Sequence, residues 1–331
     1  MSELLDDVLT LPDQLRWGLD LDPTGMGSAN GMVLLGMGGS AMAATVASLA
    51  ATSPVRIEVH RSYGLPAWAL EAGASVLAVS YSGNTEEVLS GVDAAFAGGL
   101  DVSMVTSGGR LEEIANERGL PLVLVPGGMQ PRAGVGYQAS AVTRVLGASG
   151  AIADDRGELT EAADVVDTLL GDGNGPAVKQ SAVIARDLLG KTAVIYGGFG
   201  VGETAAYRWK TQLNENAKAP AYWGVVPEMN HNELEGWHDS TGEGFAVVFL
   251  RDENDHPRIK SRLDLSEALI AETATNAGTV ASNGTGVIAR LSSLAVVGDI
   301  ASLLVADQAG TDPTPVNTIE GFKESLGRED Q

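Results

Sequence analysis

Short apolar runs that end in glycine-rich turns, each followed by a longer stretch of helical spacing, organise this chain. After a helical start over 2–18, broken near Pro12, the run Met32-Val33-Leu34-Leu35 predicts a strand. It enters Gly36-Met37-Gly38-Gly39-Ser40 and then a small-residue helix over 41–51. Strand, glycine turn and helix make the opening βα unit of a parallel sheet. Residues 55–59 alternate as a half-buried strand does. Residues 76–79 predict another strand, which leads through Ser80-Tyr81-Ser82-Gly83-Asn84-Thr85 into a helix. Strands over 102–105, before a further helix, and 122–125 close the first set. Helix-rich sequence over 158–189 separates it from a second set: a strand at 194–196, the turn Gly197-Gly198-Phe199-Gly200-Val201-Gly202, a helix over 203–218, and strands at 245–250 and 294–297. The same unit is used twice. The fold class is therefore α/β, with two doubly wound parallel-sheet domains related by a pseudo-repeat, the first over 1–152 and the second over 153–331.

The 331-residue length accommodates two such cores. Charge narrows the functions: 21 basic against 43 acidic residues give a net charge of −22, a surface that repels a phosphate backbone, so nucleic-acid binding is disfavoured. The absence of cysteine excludes disulfides, thiol catalysis and thiolate metal sites. Only six lysines occur, none before Lys179. We read the acidity and the lysine scarcity as compositional bias or salt adaptation. The uncharged stretch 23–55 is long enough to raise a membrane span, but its middle is glycine and its second half is mostly Ala, Ser and Thr, which transfer poorly into lipid. The acidic start lacks the basic region of a signal peptide. The expectation is a soluble, cytoplasmic protein.

Two loops in the first half carry candidate chemistry. The glycine turn that ends in Gly39 and Ser40 departs from the G-x-G-x-x-G spacing, and alone it reads equally as a tight βα turn. In the second loop Ser80, Ser82 and Thr85 place three hydroxyls around Gly83 at a helix start, where free N–H groups favour an anion. Hydroxyls without lysine suit a phosphomonoester; a plain helix cap would need only one of them. The corresponding loop of the second half, Arg251-Asp252-Glu253-Asn254-Asp255, offers carboxylates that repel phosphate. One half is thus expected to bind and the other to support.

These two loops together resemble the phosphosugar-binding sugar isomerase (SIS) domain. Gln130-Pro131-Arg132, Asn214-Glu215-Asn216-Ala217-Lys218, Glu228-Met229-Asn230-His231-Asn232-Glu233 and the C-terminal Lys323 extend the resemblance, across nearly the whole chain, to the bifunctional phosphoglucose/phosphomannose isomerases. The resemblance implies a cofactor-free interconversion of glucose 6-phosphate, and of mannose 6-phosphate, with fructose 6-phosphate through a cis-enediol. It further implies Glu215 as the proton-transferring base, His231 as the ring-opening group supplied across a homodimer interface, and Lys323 near the sugar ring. Arg132, always charged, can stabilise the enediolate oxygens. On the residues alone each has a plainer reading: Glu215 a solvated helix glutamate, His231 a surface-loop histidine, Arg132 a salt-bridged surface arginine, Lys323 a solubilising lysine. His60, His238 and His256 are expected to be structural or at the surface. No His/Asp/Glu spacing suggests a metal, so Glu233 and Glu235 are not read as ligands. The rival reading is a non-catalytic phosphosugar sensor.

Overall fold

The computed structural model of the chain describes residues 3–238 and 242–329. It opens with α1 (Glu3–Leu9) and α2 (Leu11–Trp17), Pro12 standing in the first turn of α2, where a missing N–H forfeits no helix bond. The first half then runs β1 (Met32–Leu35), α3 (Gly38–Leu49), β2 (Ile57–His60), α4 (Ala67–Ala72), β3 (Ser75–Ser80), α5 (Glu86–Ala97), β4 (Val102–Thr106), α6 (Gly109–Arg118), β5 (Leu122–Leu124) and α7 (Val135–Ala148). Two connecting helices follow, α8 (Asp155–Leu170) and α9 (Pro176–Leu188). The second half runs β6 (Thr192–Gly198), α10 (Val201–Asn216), β7 (Ala221–Val226), β8 (Phe245–Arg251), α11 (Pro257–Ile270), β9 (Thr275–Ala281), α12 (Val287–Gln308) and α13 (Asn317–Glu329).

The strands form two all-parallel sheets, ordered β2-β1-β3-β4-β5 and β7-β6-β8-β9. Strand for strand, the second repeats the first four positions of the first, so the predicted repeat is a repeat of topology. Such sheets are covered on both faces. In the first sheet Val33, Leu35, Val76 and Ala78 pack on one side, whereas Met32, Leu34, Leu77 and Val79 enter the large core that lies between the two sheets. The second sheet divides likewise: Val194, Tyr196, Val247 and Phe249 face outward, and Ala193, Ile195, Ala246 and Val248 face that shared core. Period-two alternation thus builds the centre of the molecule from both halves.

The strand expected at 294–297 is not one. Leu294-Ala295-Val296-Val297 lies in the middle of α12, a 22-residue helix that packs against α3, α8, α9 and α10. Because α12 is buried on almost every side, its sequence shows no polar stripe, and a short apolar run inside it is indistinguishable from a buried strand. Among the described residues α12 is the one helix long and apolar enough to cross a bilayer, and it is enclosed by protein. The uncharged stretch 23–55 supplies β1 and α3, whose alanines let α3 sit against α7. Strands β7 and β9 escape the sequence pattern: β7 exposes Tyr222, and β9 is interrupted at Gly278, next to a register shift in β8.

Candidate active site

In a sheet ordered 2-1-3-4, the connections leave β1 and β3 toward opposite faces, and a crevice opens between the carboxyl ends of those two strands. Both hydroxyl-bearing loops lie at that crevice. Gly36-Met37-Gly38-Gly39-Ser40 leaves β1 and starts α3, and Ser80 ends β3. Ser80 Oγ is 2.8 Å from Thr85 Oγ1 and accepts the Gly83 N–H at 3.1 Å. Thr85 precedes the first turn of α5 without capping it through its side chain, which leaves the helix start open to an anion. Ser82 is exposed and accepts the Asn84 N–H. Ser40 is buried; its hydroxyl donates to Gln138 Oε1 at 2.6 Å and accepts the Tyr81 N–H at 3.1 Å, tying the two loops together. Gly83 (φ +69°) is obligatory, since a β-carbon there would sit 1.8 Å from the Gly108 carbonyl oxygen. A β-carbon on Gly39 would stand 3.1 Å from the Pro131 carbonyl, so this glycine admits the segment that carries Arg132.

Arg132 joins the two halves. It is buried, its Nε donates to Asn216 Oδ1 at 2.7 Å, and its Nη2 donates to the carbonyls of Pro313 and Thr314 at 2.7 and 3.1 Å. Its Nη1 donates to Gln130 Oε1 and lies 3.6 Å from Glu215 Oε2. Burial lowers its pKa from the ordinary arginine value and the Glu215 charge opposes that, so the guanidinium stays charged. Behind it, Arg208 on α10 donates to the Arg132 carbonyl and pairs with buried Asp299 of α12 at 2.7 Å. Glu215, one residue before the end of α10, is partly exposed and lines a cleft of about 480 Å³ with Asn214, Lys218, Pro315, Val316 and Ile319. An acid–base group beside a fixed cation and facing solvent can move a proton while the cation holds negative charge.

The crevice of the second sheet carries a carboxylate. Asp255 lies over the glycine turn after β6, its carboxylate 2.4 Å from where a Gly198 β-carbon would be, and burial raises its pKa. Asp252 is buried against Arg290. These are the carboxylates that the sequence sets against phosphate.

His231 is not brought to Glu215 within one chain, whereas α13, which carries Lys323, lines the Glu215 cleft with its first turn. Helix α10 starts at the carboxyl end of β6 and runs back for 16 residues, about 24 Å at helical rise, so Glu215 stands at the opposite end of that sheet. Parallel β7 then returns, and His231 follows its carboxyl end, about 20 Å away for a six-residue strand. His231 is exposed on a turn anchored on both sides. Asn230 donates to Ser266, Met229 is buried, and Glu233 accepts the Tyr196 hydroxyl at 2.9 Å. Lys323 is exposed on α13, and neither residue has a hydrogen bond or ion pair to Arg132 or Glu215 among the described residues. His256 caps α11, its Nδ1 accepting the Arg258 N–H. Among the described residues no three His, Asp or Glu side chains cluster to hold a metal ion.

Sequence reasoning left Lys218, Asn216 and Gln130 without roles, although all three lie in the quoted motifs. The usable signal for Lys218 was the rarity of lysine; the hold of Asn216 on Arg132 spans 84 positions and leaves no local trace. Burial and the Arg132 charge lower the Lys218 pKa from its ordinary value.

Residues 177–326 match the family model of the bacterial phospho-glucose isomerase C-terminal SIS domain. The chain is 33% identical over 336 residues to a bifunctional phosphoglucose/phosphomannose isomerase of Caldicellulosiruptor bescii, with 98% of each covered. It is 34% identical over 230 residues to a D-glucosamine-6-phosphate 4-epimerase of Sulfolobus acidocaldarius, covering 69% of this chain and 71% of that one. A Thermus thermophilus protein of solved structure shares the fold with a TM-score of 0.71 at 14% identity, over 99% of this chain and 89% of that one. With one residue in three identical along practically its whole length, the chain belongs to the bifunctional phosphoglucose/phosphomannose isomerase family.

Proposed function

We propose that the chain interconverts glucose 6-phosphate, and mannose 6-phosphate, with fructose 6-phosphate by proton transfer between C1 and C2 through a cis-enediol. The observation that carries this reading is the 3.6 Å approach to Glu215 of Arg132, on a segment that passes against the Gly39 turn of the first crevice. In this reading the α5 start, with Ser80, Ser82 and Thr85, takes the phosphate, and Gly39 and Ser40 shape its other side. Glu215 withdraws the C2 proton of either aldose and returns it to C1, while Arg132 stabilises the enediolate oxygens. The two aldoses differ only at C2, and loss of that proton takes both to one planar enediol.

Ring opening falls to His231 of a second copy, and Lys323 approaches the sugar from α13. The position of His231 at the far end of the second sheet, on an anchored and outward-facing turn, supports a homodimer with shared sites. The first domain, 1–152, binds phosphate; the second, 153–331, brings the base. The test is a coupled assay for fructose 6-phosphate with each aldose, run beside product analysis on glucosamine 6-phosphate. Turnover of both aldoses is expected. Epimerisation of the amino sugar at C4 without aldose turnover would overturn the assignment.

A further inference from the structure

Helix α10 ends at Asn216, and the residue that turns the chain away from it, Lys218, has φ +54°. A β-carbon disfavours that left-handed conformation and glycine adopts it freely. Glycine takes it at three other helix ends, Gly73, Gly119 and Gly171 at the left-handed stops of α4, α6 and α8, and among the described residues only Asp172 and Lys218 take it without being glycine. At α10 the chain spends one of its six lysines instead. The side chain explains the exception. The Lys218 ammonium donates to three main-chain carbonyls: that of Glu215, that of Pro313 at 3.1 Å and that of Pro315 at 2.6 Å. The Pro313 carbonyl also accepts from Arg132. Pro313 and Pro315 have no N–H and the Thr314 N–H between them donates to Asp312, so the hold on this segment from α10 and from Arg132 runs through its carbonyl oxygens. Pro315 and Val316 line the Glu215 cleft, and α13, with Lys323, begins at the next residue.

We propose that Lys218 is a positioning residue whose ammonium clasps the 313–315 strap against the end of α10, setting one wall of the Glu215 cleft and the root of the helix that carries Lys323. The inference deepens the functional reading above and rests on it for the meaning of the cleft. Lys218 spends its ammonium on three carbonyls, so in this proposal it acts through what it holds.

Lys218→Gly separates side chain from backbone, because glycine suits the left-handed turn and lacks the ammonium. Amide exchange at residues 314 and 316–318 is expected to quicken roughly tenfold or more while the rest of the chain keeps its protection. In the same variant kcat/KM for glucose 6-phosphate should fall roughly tenfold or more. Lys218 stands at the surface, so a small cation can reach the vacated carbonyls. Methylammonium chloride should restore part of both properties, and sodium chloride at equal ionic strength should not. Lys218→Met, which keeps a long apolar stem, should match the glycine variant in exchange. Wild-type exchange and wild-type kcat/KM in Lys218→Gly would overturn the proposal, as would equal rescue by the two salts. Should the wild type turn over neither aldose, the functional reading falls, and the exchange comparison still decides the clasp.

Discussion

The Ser40 hydroxyl donates to Gln138 and accepts from the Tyr81 N–H, so its capacity is used inside the fold, whereas Thr85 shares a hydrogen bond with Ser80 at an open helix start. Identical chemistry therefore predicts different losses. Ser40→Ala strands a buried acceptor and a buried N–H and should lower stability by about 1–3 kcal/mol, read by thermal melting. Thr85→Ala should melt nearly as the wild type does and raise KM for phosphosugars more than it lowers kcat; equal KM would remove Thr85 from the phosphate site. Glu215→Gln keeps the shape of the side chain and its neighbour Arg132 but cannot accept the proton. Its kcat should fall by about 10²–10⁴ while phosphosugar still binds, and substantial residual turnover would assign the base elsewhere.

At the scale of elements, α12 decides how the halves meet. Gly298 lies under the indole of Trp209, which is buried on α10 and donates to the Leu294 carbonyl. A β-carbon there would be 2.4 Å from the ring. Gly→Ala inside a helix ordinarily gains about 1 kcal/mol, and here overpacking should reverse the sign and cost about 1–3 kcal/mol. A Gly298→Ala chain that melts above the wild type would contradict this packing. The start of α12 is held by two carboxylates of α8: Glu161 accepts from the Thr285 and Gly286 N–H groups, and Glu158 from those of Val287 and Ile288. The Thr285 and Gly286 bonds pull the Glu161 pKa below its ordinary 4.5. Its stabilising effect is thus complete above the ordinary carboxylate range and is lost as pH falls through the lower, folded-state value. Denaturant titrations should find Glu161→Gln less stable than wild type at neutral pH, with the gap closing in acid; a gap that widens in acid would give the wrong sign.

For the whole molecule, the two parallel sheets place Glu215 and His231 at opposite ends of one of them, so the proposed site, which uses both, would need two chains. Mixing Glu215→Gln with His231→Ala chains should recover activity, because a mixed dimer carries one intact site. Random re-pairing would restore roughly a quarter of the wild-type rate. Demonstrated heterodimers without activity would mean that each chain completes its own site. The second crevice has no part in the proposed site: Asp255 lies over its glycine turn, where the first crevice has hydroxyls.

Local chemistry made much of this legible before any coordinates. Strands that end in glycine turns declared two doubly wound sheets, because apolar runs and turn residues act over a few positions, and the hydroxyls of Ser80, Ser82 and Thr85 marked a helix start as the candidate anion site. The second sheet also showed why it would not share that site, through the carboxylates of its own loop. Tertiary structure decided what depends on distant partners. Residues 294–297 became a helix because burial on all sides erased the periodicity that separates helix from strand. Ser40 proved internally committed because Gln138, 98 positions away, takes its proton. Arg132 and Glu215, far apart in the chain, meet because α10 ends beside the turn that follows β5, and Lys218 took on a role only when the strap at 313–315 folded over it. Short-range preference is written residue by residue, whereas which cation faces which carboxylate depends on how the halves pack, and that is a property of the folded chain.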